Sequence, residues 1–246
     1  MKASVIRITS LGIFVLLWQT LAWWLHDPAL PGPWQVFSLL IEEAERGALW
    51  RHLGATLMRM LVSFSVAMAI GCGIGLGLGL SRCLDVWFYP WLMIILNVPA
   101  LVTIILCYVW LGLTETAALL AVVLNKTPNV AITLREGVRA LDQELLAMAR
   151  CYRLGWRKTL HHVIWPQLHP YLMAATRSGL ALIWKIILVV ELLGRSEGVG
   201  YQLHLFFQLF DVAGILAYTV AFLGIIGVIE LAILKPLDRY QCRWRT

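Results

Sequence analysis

The feature that most constrains this chain is a series of apolar runs about as long as a bilayer is thick. A transmembrane helix needs about 20 predominantly apolar residues. Hydrophobic residues make up 60% of the 246 residues and charged residues 14%, against about a quarter in soluble domains. The sequence therefore predicts an all-α polytopic membrane protein, a single domain over residues 1–246, and an unusually apolar soluble α-protein is the weaker alternative. Six transmembrane helices are expected, near residues 8–25, 55–80, 87–111, 115–134, 171–193 and 212–234.

The first of these runs has the basic flank and apolar stretch that a signal peptide also has. It is long and rich in tryptophan, and it lacks an A-x-A cleavage site. We therefore predict that residues 8–25 are retained as the first transmembrane helix.

The distribution of lysine and arginine predicts the orientation of the chain. With the N-terminus inside, the inner connections carry thirteen of these residues and the outer ones carry only Arg46, Arg51 and Arg195. Cytoplasmic loops are enriched in Lys and Arg, so we expect both termini to be cytoplasmic. The net charge of +6 then reflects topology, and no nucleic-acid partner is expected. The inner residues are Lys2, Arg7, Arg82, Arg135, Arg139, Arg150, Arg153, Arg157, Lys158, Lys235, Arg239, Arg243 and Arg245.

Glycine and proline mark special points within the spans. Gly71, Gly75 and Gly79 recur every four residues in the second span, a small-xxx-small pattern that permits close helix contact; a flexible hinge is the alternative. Proline interrupts a helical hydrogen bond. We therefore expect a break in the third span at Asn97–Ala100 and another in the fourth at Asn125–Asn129.

The inner connection 135–170 is unusually polar for this chain and has helical periodicity. Leu145, Met148, Tyr152, Trp156, Leu160 and Val163 form one apolar stripe, and Arg150, Arg153, Arg157 and His161 form a basic one. Gly155 is expected to divide the segment into two helices, and Pro166 to end the second. Such an amphipathic hairpin could dock on a partner protein or rest on anionic lipid headgroups.

Few residues suggest a metal or redox site. The five cysteines are scattered without a CxxC pair, so neither a disulfide framework nor a metal site is expected. His161 and His162 are adjacent and cannot face the same way on a helix. We expect no cofactor.

Four polar residues within or near the spans are candidates for a translocation path: Lys126, Lys185, Glu191 and Asn97. A charge at the bilayer centre is costly, so such residues usually face a bundle interior or a wet cavity. The two lysines would attract an anionic or carboxylated solute. The alternatives are that Lys185 pairs with Glu191, or that a lysine is buried against backbone carbonyls freed by Pro128.

Three motifs resemble those of one family, the permease subunits of bacterial type I ABC importers. "LPGPWQVF" is similar to its L-P-x-P motif after the first span, and "ELLGRSEGVGY" to its E-x-L-G-x-x-x-G-x-G-Y block. The inner loop is similar to its coupling region, which has E-A-A, a glycine six residues after the Glu and a proline nineteen after it. The closest group serves sulfonates, taurine, nitrate and bicarbonate.

The resemblance implies that the loop 135–170 is a coupling-helix pair that docks on a separate ATPase subunit. With Pro166 on the family proline, Ala147 stands at the usual Glu and Arg153 at the usual glycine. No P-loop motif occurs, so ATP hydrolysis is expected on the partner and this chain is not expected to be an enzyme. The implied coupling residues are Ala147, Met148, Ala149, Arg150, Tyr152, Arg153, Gly155 and Trp156.

The resemblance also implies partners and a location. We expect a bacterial inner-membrane assembly of two permease copies, two ATPase subunits and an extracytoplasmic solute-binding protein over residues 26–54 and 194–211; a heterodimer of permeases is the alternative. The solute is expected to be a small anion, with a thiamine-precursor pyrimidine as the alternative. A stand-alone secondary transporter and a membrane enzyme are weaker hypotheses, because neither repeat-related interrupted segments nor a catalytic cluster is evident.

Overall fold

The computed structural model describes residues 2–25, 27 and 29–234. Helices account for nearly all of these residues, and no strand occurs among them. The chain forms two compact units, whose boundary falls within one long helix. One comprises the described parts of Met1–Thr56 and Ser196–Lys235, and the other comprises Leu57–Arg195.

Eleven α-helices and two π-helical turns follow one another through the described residues. The helices are α1 (Lys2–Leu25), α2 (Pro33–Glu45), α3 (Ala48–Leu80), α4 (Arg82–Asn97), α5 (Ala100–Leu111), α6 (Glu115–Arg139), α7 (Gln143–Cys151), α8 (Trp156–Thr159), α9 (Trp165–Gly194), α10 (Val199–Gln208) and α11 (Val212–Ile229). The π-helical turns are Leu160–Ile164 and Glu230–Leu234.

Among the described residues, four helical runs are long and apolar enough to cross a membrane: α3, α6, Trp156–Gly194 and Val212–Ala232. Within α1, Thr9–Leu25 is a shorter apolar stretch. Helices α4 and α5 pass the same criterion only as a pair, bent by 95°. The break expected at Asn97–Ala100 is therefore confirmed. Val98 has an extended backbone with ψ 126, as expected for a residue before proline.

The break expected at Asn125–Asn129 is wrong, because α6 is helical through this segment. Pro128 is buried inside the helix, where the proline ring weakens the local backbone ladder. The hydroxyl of Thr127 donates to the carbonyl oxygen of Val123 at 2.7 Å. The bond lost at Pro128 is the one to the carbonyl of Leu124, four residues earlier, so this contact does not replace it. The helix continues despite the loss of that single bond.

The expectation that Pro166 ends a helix is also wrong. Residues Trp156–Gly194 form one helical run, and Pro166 is the second residue of α9. The π-helical turn Leu160–Ile164 comes directly before α9. A π-turn changes the local bonding register, so the missing proline N–H is accommodated without ending the run.

Helices α3 and α6 approach each other through the glycines of α3. A methyl group added at Gly71 would meet Val130, one at Gly75 would meet the Ala131 carbonyl, and one at Gly79 would meet Val138. Nothing lies within 4 Å of the corresponding position at Gly73 or Gly77. The predicted close packing of the i, i+4, i+8 glycine face is therefore confirmed.

In the unit formed by the two ends of the chain, α11 packs against α2 and α10. Helix α10, which the sequence analysis does not predict, is anchored at its N-terminus by side chains of α3. The Gly198 N–H donates to His52 Nδ1 at 3.1 Å, and the Val199 N–H donates to Thr56 Oγ1 at 2.8 Å. Gly198 has φ 121, a conformation that favours glycine.

The glycine contact predicts opposite effects for two alanine substitutions in α3. Gly75→Ala should destabilise the protein by about 1–3 kcal/mol, because the new methyl group would overlap the backbone of α6. Gly73→Ala should stabilise it by about 0.5–1 kcal/mol, because alanine is the better helix former and the site is open. Thermal unfolding in detergent checks both. Equal shifts for the two variants would contradict the assigned contact face.

Candidate coupling surface and polar groups within the spans

Residues 142–159 form a short helical corner. Helix α7 begins after Asp142, whose carboxylate accepts the backbone N–H of Glu144 at 2.8 Å. It ends at Cys151, and α8 begins after Gly155. The predicted division of this segment near Gly155 is confirmed. This corner contains all eight of the residues implied in coupling.

Most of the corner is exposed, including its apolar side chains. Tyr152 is 77% exposed and Trp156 72%, and Leu145 and Met148 are exposed beside them. Of the eight implied coupling residues, only Ala149 is buried; Ala147, Met148, Arg150, Tyr152, Arg153, Gly155 and Trp156 are exposed. We call the exposed set Leu145, Met148, Arg150, Tyr152, Arg153, Trp156 and Arg157 the corner surface. At the far end of the predicted apolar stripe, Val163 is buried.

Arg153 has the backbone conformation in which glycine is usual. Its φ is 48, its N–H donates to the Arg150 carbonyl at 3.0 Å, and the Leu154 N–H donates to the Ala149 carbonyl at 2.9 Å. These two bonds form a Schellman motif, which normally ends on glycine. The position that aligns with the family glycine therefore has a left-handed backbone in this chain, although its residue is an arginine.

A charge cluster joins the beginning of α4 to the end of α6, the helix that precedes the corner in the chain. Asp85 is buried and pairs with both Arg135 and Arg139, the latter at 2.5 Å. The Arg135 guanidinium lies 4.0 Å from the centroid of the Tyr89 ring. The positions of these arginines in the sequence predict topology and do not by themselves predict this cluster. An acidic residue at the start of an apolar run, opposite arginines ending another, was the available signal.

A second charge cluster joins the first half of α3, the beginning of α6 and the end of α9. Arg59 donates to Glu115 at 2.6 Å and to Glu191 at 2.6 Å. Arg195 pairs with Glu115 at 2.5 Å and donates to the Leu113 carbonyl at 2.9 Å. Glu191 is fully buried, so its pairing with Arg59 offsets the cost of burying the carboxylate.

This cluster corrects the alternative in which Lys185 neutralises Glu191. Glu191 forms its ion pair with Arg59, and Lys185 is exposed on α9. Arg59 and Glu115 were not singled out from the sequence. Each is a lone charge at the beginning of a long apolar run, and that pattern was the signal that could have indicated a pair.

Lys126 of α6 is only 2% exposed and packs against α9 within the unit Leu57–Arg195. Its Nζ donates to Asn129 Oδ1 at 2.8 Å, and a methyl group added at Gly179 of α9 would meet its side chain. The bonding partner is therefore a side-chain amide rather than a carbonyl freed by Pro128. The last candidate, Asn97, is exposed at the α4–α5 break and donates to the Met93 carbonyl at 2.7 Å.

The two histidines of the π-helical turn Leu160–Ile164 contact each other. The rings of His161 and His162 meet edge to face, with centroids 5.0 Å apart. Across the described part of the chain, no group of three His, Cys, Asp or Glu side chains could hold a metal ion.

The described residues contain several helices that are long and apolar enough to cross a membrane, which defines the class as a polytopic membrane protein. The family model described as "Binding-protein-dependent transport system inner membrane component" matches residues 69–235. The chain belongs to this family. It is a multi-pass inner-membrane permease subunit of an ABC importer, a transport subunit rather than an enzyme, and such permeases work with an ATPase and a binding protein.

Curated relatives cover nearly the whole chain. A putative aliphatic sulfonates transport permease protein, SsuC of Escherichia coli (strain K12), is 32% identical over 94% of this chain and 88% of its own length. The taurine transport system permease protein TauC of the same strain is 27% identical over 97% and 89%. The bicarbonate transport system permease protein CmpB of Synechococcus elongatus is 26% identical over 94% and 86%.

Solved structures share the fold at lower sequence identity. An amino acid ABC transporter crystallised with histidines has a TM-score of 0.64 and 19% identity, covering 83% of this chain and 97% of that chain. The MetNI methionine ABC transporter in inward-facing conformations has a TM-score of 0.67 and 17% identity, covering 82% and 98%.

The Schellman motif predicts that glycine would be the better residue at position 153. Arg153→Gly should slow hydrogen exchange of the Arg150–Leu154 segment amides up to about fivefold, because it relieves about 1 kcal/mol of left-handed strain. Arg153→Ala keeps the β-carbon and should show no such slowing, which makes it the matched control. Slowing of the same size in both variants would assign the effect to the lost charge.

Proposed function

We propose that this chain forms half of the translocation path of an importer for a small anion. In this proposal residues 1–246 are a single permease domain, two copies associate as a homodimer, and two ATPase subunits drive alternating access. An extracytoplasmic binding protein delivers the solute over residues 26–54 and 194–211, where Trp34, Phe207 and Phe210 are exposed. The exposed corner surface is the single observation that carries the proposal.

Six spans follow if α1 and the bent α4–α5 pair each count as one, with α3, α6, α9 and α11 as the others. The excess of arginine and lysine in the connections after α3, α6 and α11 supports cytoplasmic termini. Four of the counted residues, Lys235, Arg239, Arg243 and Arg245, lie outside the described residues. The corner surface then faces the cytoplasm, where an ATPase subunit is accessible.

The corner surface fits docking on a protein better than it fits packing within this chain. Exposed Tyr152 and Trp156 supply the large aromatic anchors that protein interfaces favour, with Arg150, Arg153 and Arg157 around them. Docking of this kind relies on shape and apolar contact. It does not need the glutamate that Ala147 replaces, although a specific salt bridge through that glutamate is lost.

The small-anion assignment rests on relatives and on membrane-level lysines. Relatives are named for aliphatic sulfonates, taurine and bicarbonate. We place Lys185 and Asn97, both exposed, along the path. Lys126 is buried next to the path and contributes its charge without contacting the solute. Glu191 is neutralised by Arg59 and marks the outer end of the path.

Reversing the charge and polarity of the corner should abolish ATPase capture. Arg150→Glu combined with Tyr152→Glu should reduce recovery of the genomically adjacent ATPase in a pull-down by at least about tenfold, because an anchor and a rim charge are lost together. The matched control is Arg46→Glu with Trp50→Glu, which replaces an exposed arginine and an exposed aromatic residue in the same way at Arg46, directly after α2, and Trp50 of α3. Both proteins should remain folded and in the membrane fraction.

Normal ATPase recovery with the corner variant would contradict docking at this surface. An ATPase that fails to bind even the unmodified chain, while the chain stays folded in lipid, would leave the corner surface as a helix pair resting on anionic headgroups.

Native cysteines provide a test of the proposed orientation. Cys83 and Cys151 are exposed and lie in inner connections, so a membrane-impermeant maleimide should label them in inverted vesicles and not in intact spheroplasts. Cys242 is first replaced by alanine, because it lies outside the described residues. Glu42→Cys on α2 should show the opposite pattern; labelling of Cys151 from outside would contradict cytoplasmic coupling.

A further inference from the structure

Polar and small side chains form a continuous face on α6 and α9. Asn129 and Ser178 are half-buried, and Ala181 and Lys185 are exposed. On α9, residues at i, i+3 and i+7 share one side of the helix, and the opposite side is buried through Gly179, Ile183 and Ile187. We call Asn129, Ser178, Ala181 and Lys185 the α6–α9 face.

The orientation of the Asn129 amide follows from its partners. Its Oδ1 accepts from Lys126 Nζ at 2.8 Å and from Ser178 Oγ at 3.3 Å. An ammonium group can only donate, so the amide must present oxygen to Lys126. Its Nδ2, with two N–H donors and no hydrogen-bond partner among the described residues, is left on the side away from Lys126.

The charge behind this amide has no counter-ion in the described part of the chain. Lys126 is 2% exposed, and no described ion pair includes it. A charge in such a setting acts over several ångströms, because surrounding side chains screen it far less than water does. A hydrogen bond from the ammonium to Oδ1 also polarises the amide and strengthens its N–H groups as donors.

We propose that the α6–α9 face is the element that selects anions, with Asn129 Nδ2 as donor to the solute and Lys185 as the exposed cation. Lys126 supplies a fixed positive charge one layer behind and does not touch the solute. The ligands are oxyanions with several acceptor oxygens, such as sulfonates, carboxylates or bicarbonate. The inference rests on the proposed function, since it assumes that this face borders the path.

Holding the stronger charge out of contact has a physical advantage for transport. A solute must be attracted enough to enter and bound weakly enough to leave. A neutral amide that is polarised by Lys126 attracts the anion and still releases it more readily than a direct salt bridge would. Asn129 and Ser178 are therefore specificity-determining residues of the path.

A charged-thiol assay in nanodiscs tests the proposal without knowing the solute. The five native cysteines are replaced, Ala181→Cys is introduced, and its reaction rates with anionic sulfonatoethyl and cationic trimethylammonioethyl thiosulfonates are compared. Glu42→Cys supplies the reference ratio. We expect a preference for the anionic reagent at position 181, which falls by about tenfold with Lys126→Met, since the variant keeps the side-chain length and removes the charge.

A second variant guards against misfolding of the first. Asn129→Asp should lower the anion preference to a similar extent, because the new carboxylate would pair with Lys126 and cancel its charge. If position 181 reacts with the same reagent preference in the Ala181→Cys protein and in its Lys126→Met and Asn129→Asp variants, the inference is overturned. The placement of the path along this face would still stand. No reaction with either reagent overturns both the inference and the placement of the path, whereas the ATPase pull-down tests the importer function separately.

Discussion

The close contact between α3 and α6 is the constraint on which the unit Leu57–Arg195 depends. In lipid there is little hydrophobic gain from bringing two apolar helices together, so packing must supply the attraction. Gly71, Gly75 and Gly79 allow the backbone of α3 to reach the side chains and carbonyls of α6. With that distance set, Arg59 of α3 is placed to meet Glu115 of α6 and Glu191 of α9.

Charge pairing then fixes the two ends of α6. The Arg59 cluster lies at one end, and Asp85 with Arg135 and Arg139 lies at the other. A buried charge without a partner is strongly destabilising, so each cluster restricts how far its helices can slide. Lys126 differs, because its hydrogen-bond partner is a neutral amide and no described ion pair includes it.

The corner between α7 and α8 combines features that fold stability alone does not favour. Aromatic side chains are exposed there, and Arg153 adopts a left-handed backbone that glycine would adopt at lower cost. Strain and exposed apolar surface concentrate at functional sites. Their coincidence at this corner is consistent with a surface that is completed only when a partner subunit binds.

Several elements could be predicted from the sequence because they depend on local pattern. The apolar runs, the break before α5, the division near Gly155 and the packing face of the α3 glycines all follow from period, proline or residue size. The expected breaks at Asn125–Asn129 and at Pro166 were wrong. At Pro128 the helix tolerates the loss of one backbone hydrogen bond, and at Pro166 a π-helical turn directly precedes α9.

The sequence by itself determined the class of protein, since only helices satisfy backbone hydrogen bonds within lipid and these runs have the required length. The motifs indicated the family because the residues of each motif are contiguous in the sequence. The tertiary structure alone decided which charges pair. Arg59 and Glu191 are 132 residues apart in the chain, and the Asn129 side chain of α6 accepts a hydrogen bond from Ser178 of α9. Such contacts arise from helix packing, which no local pattern specifies.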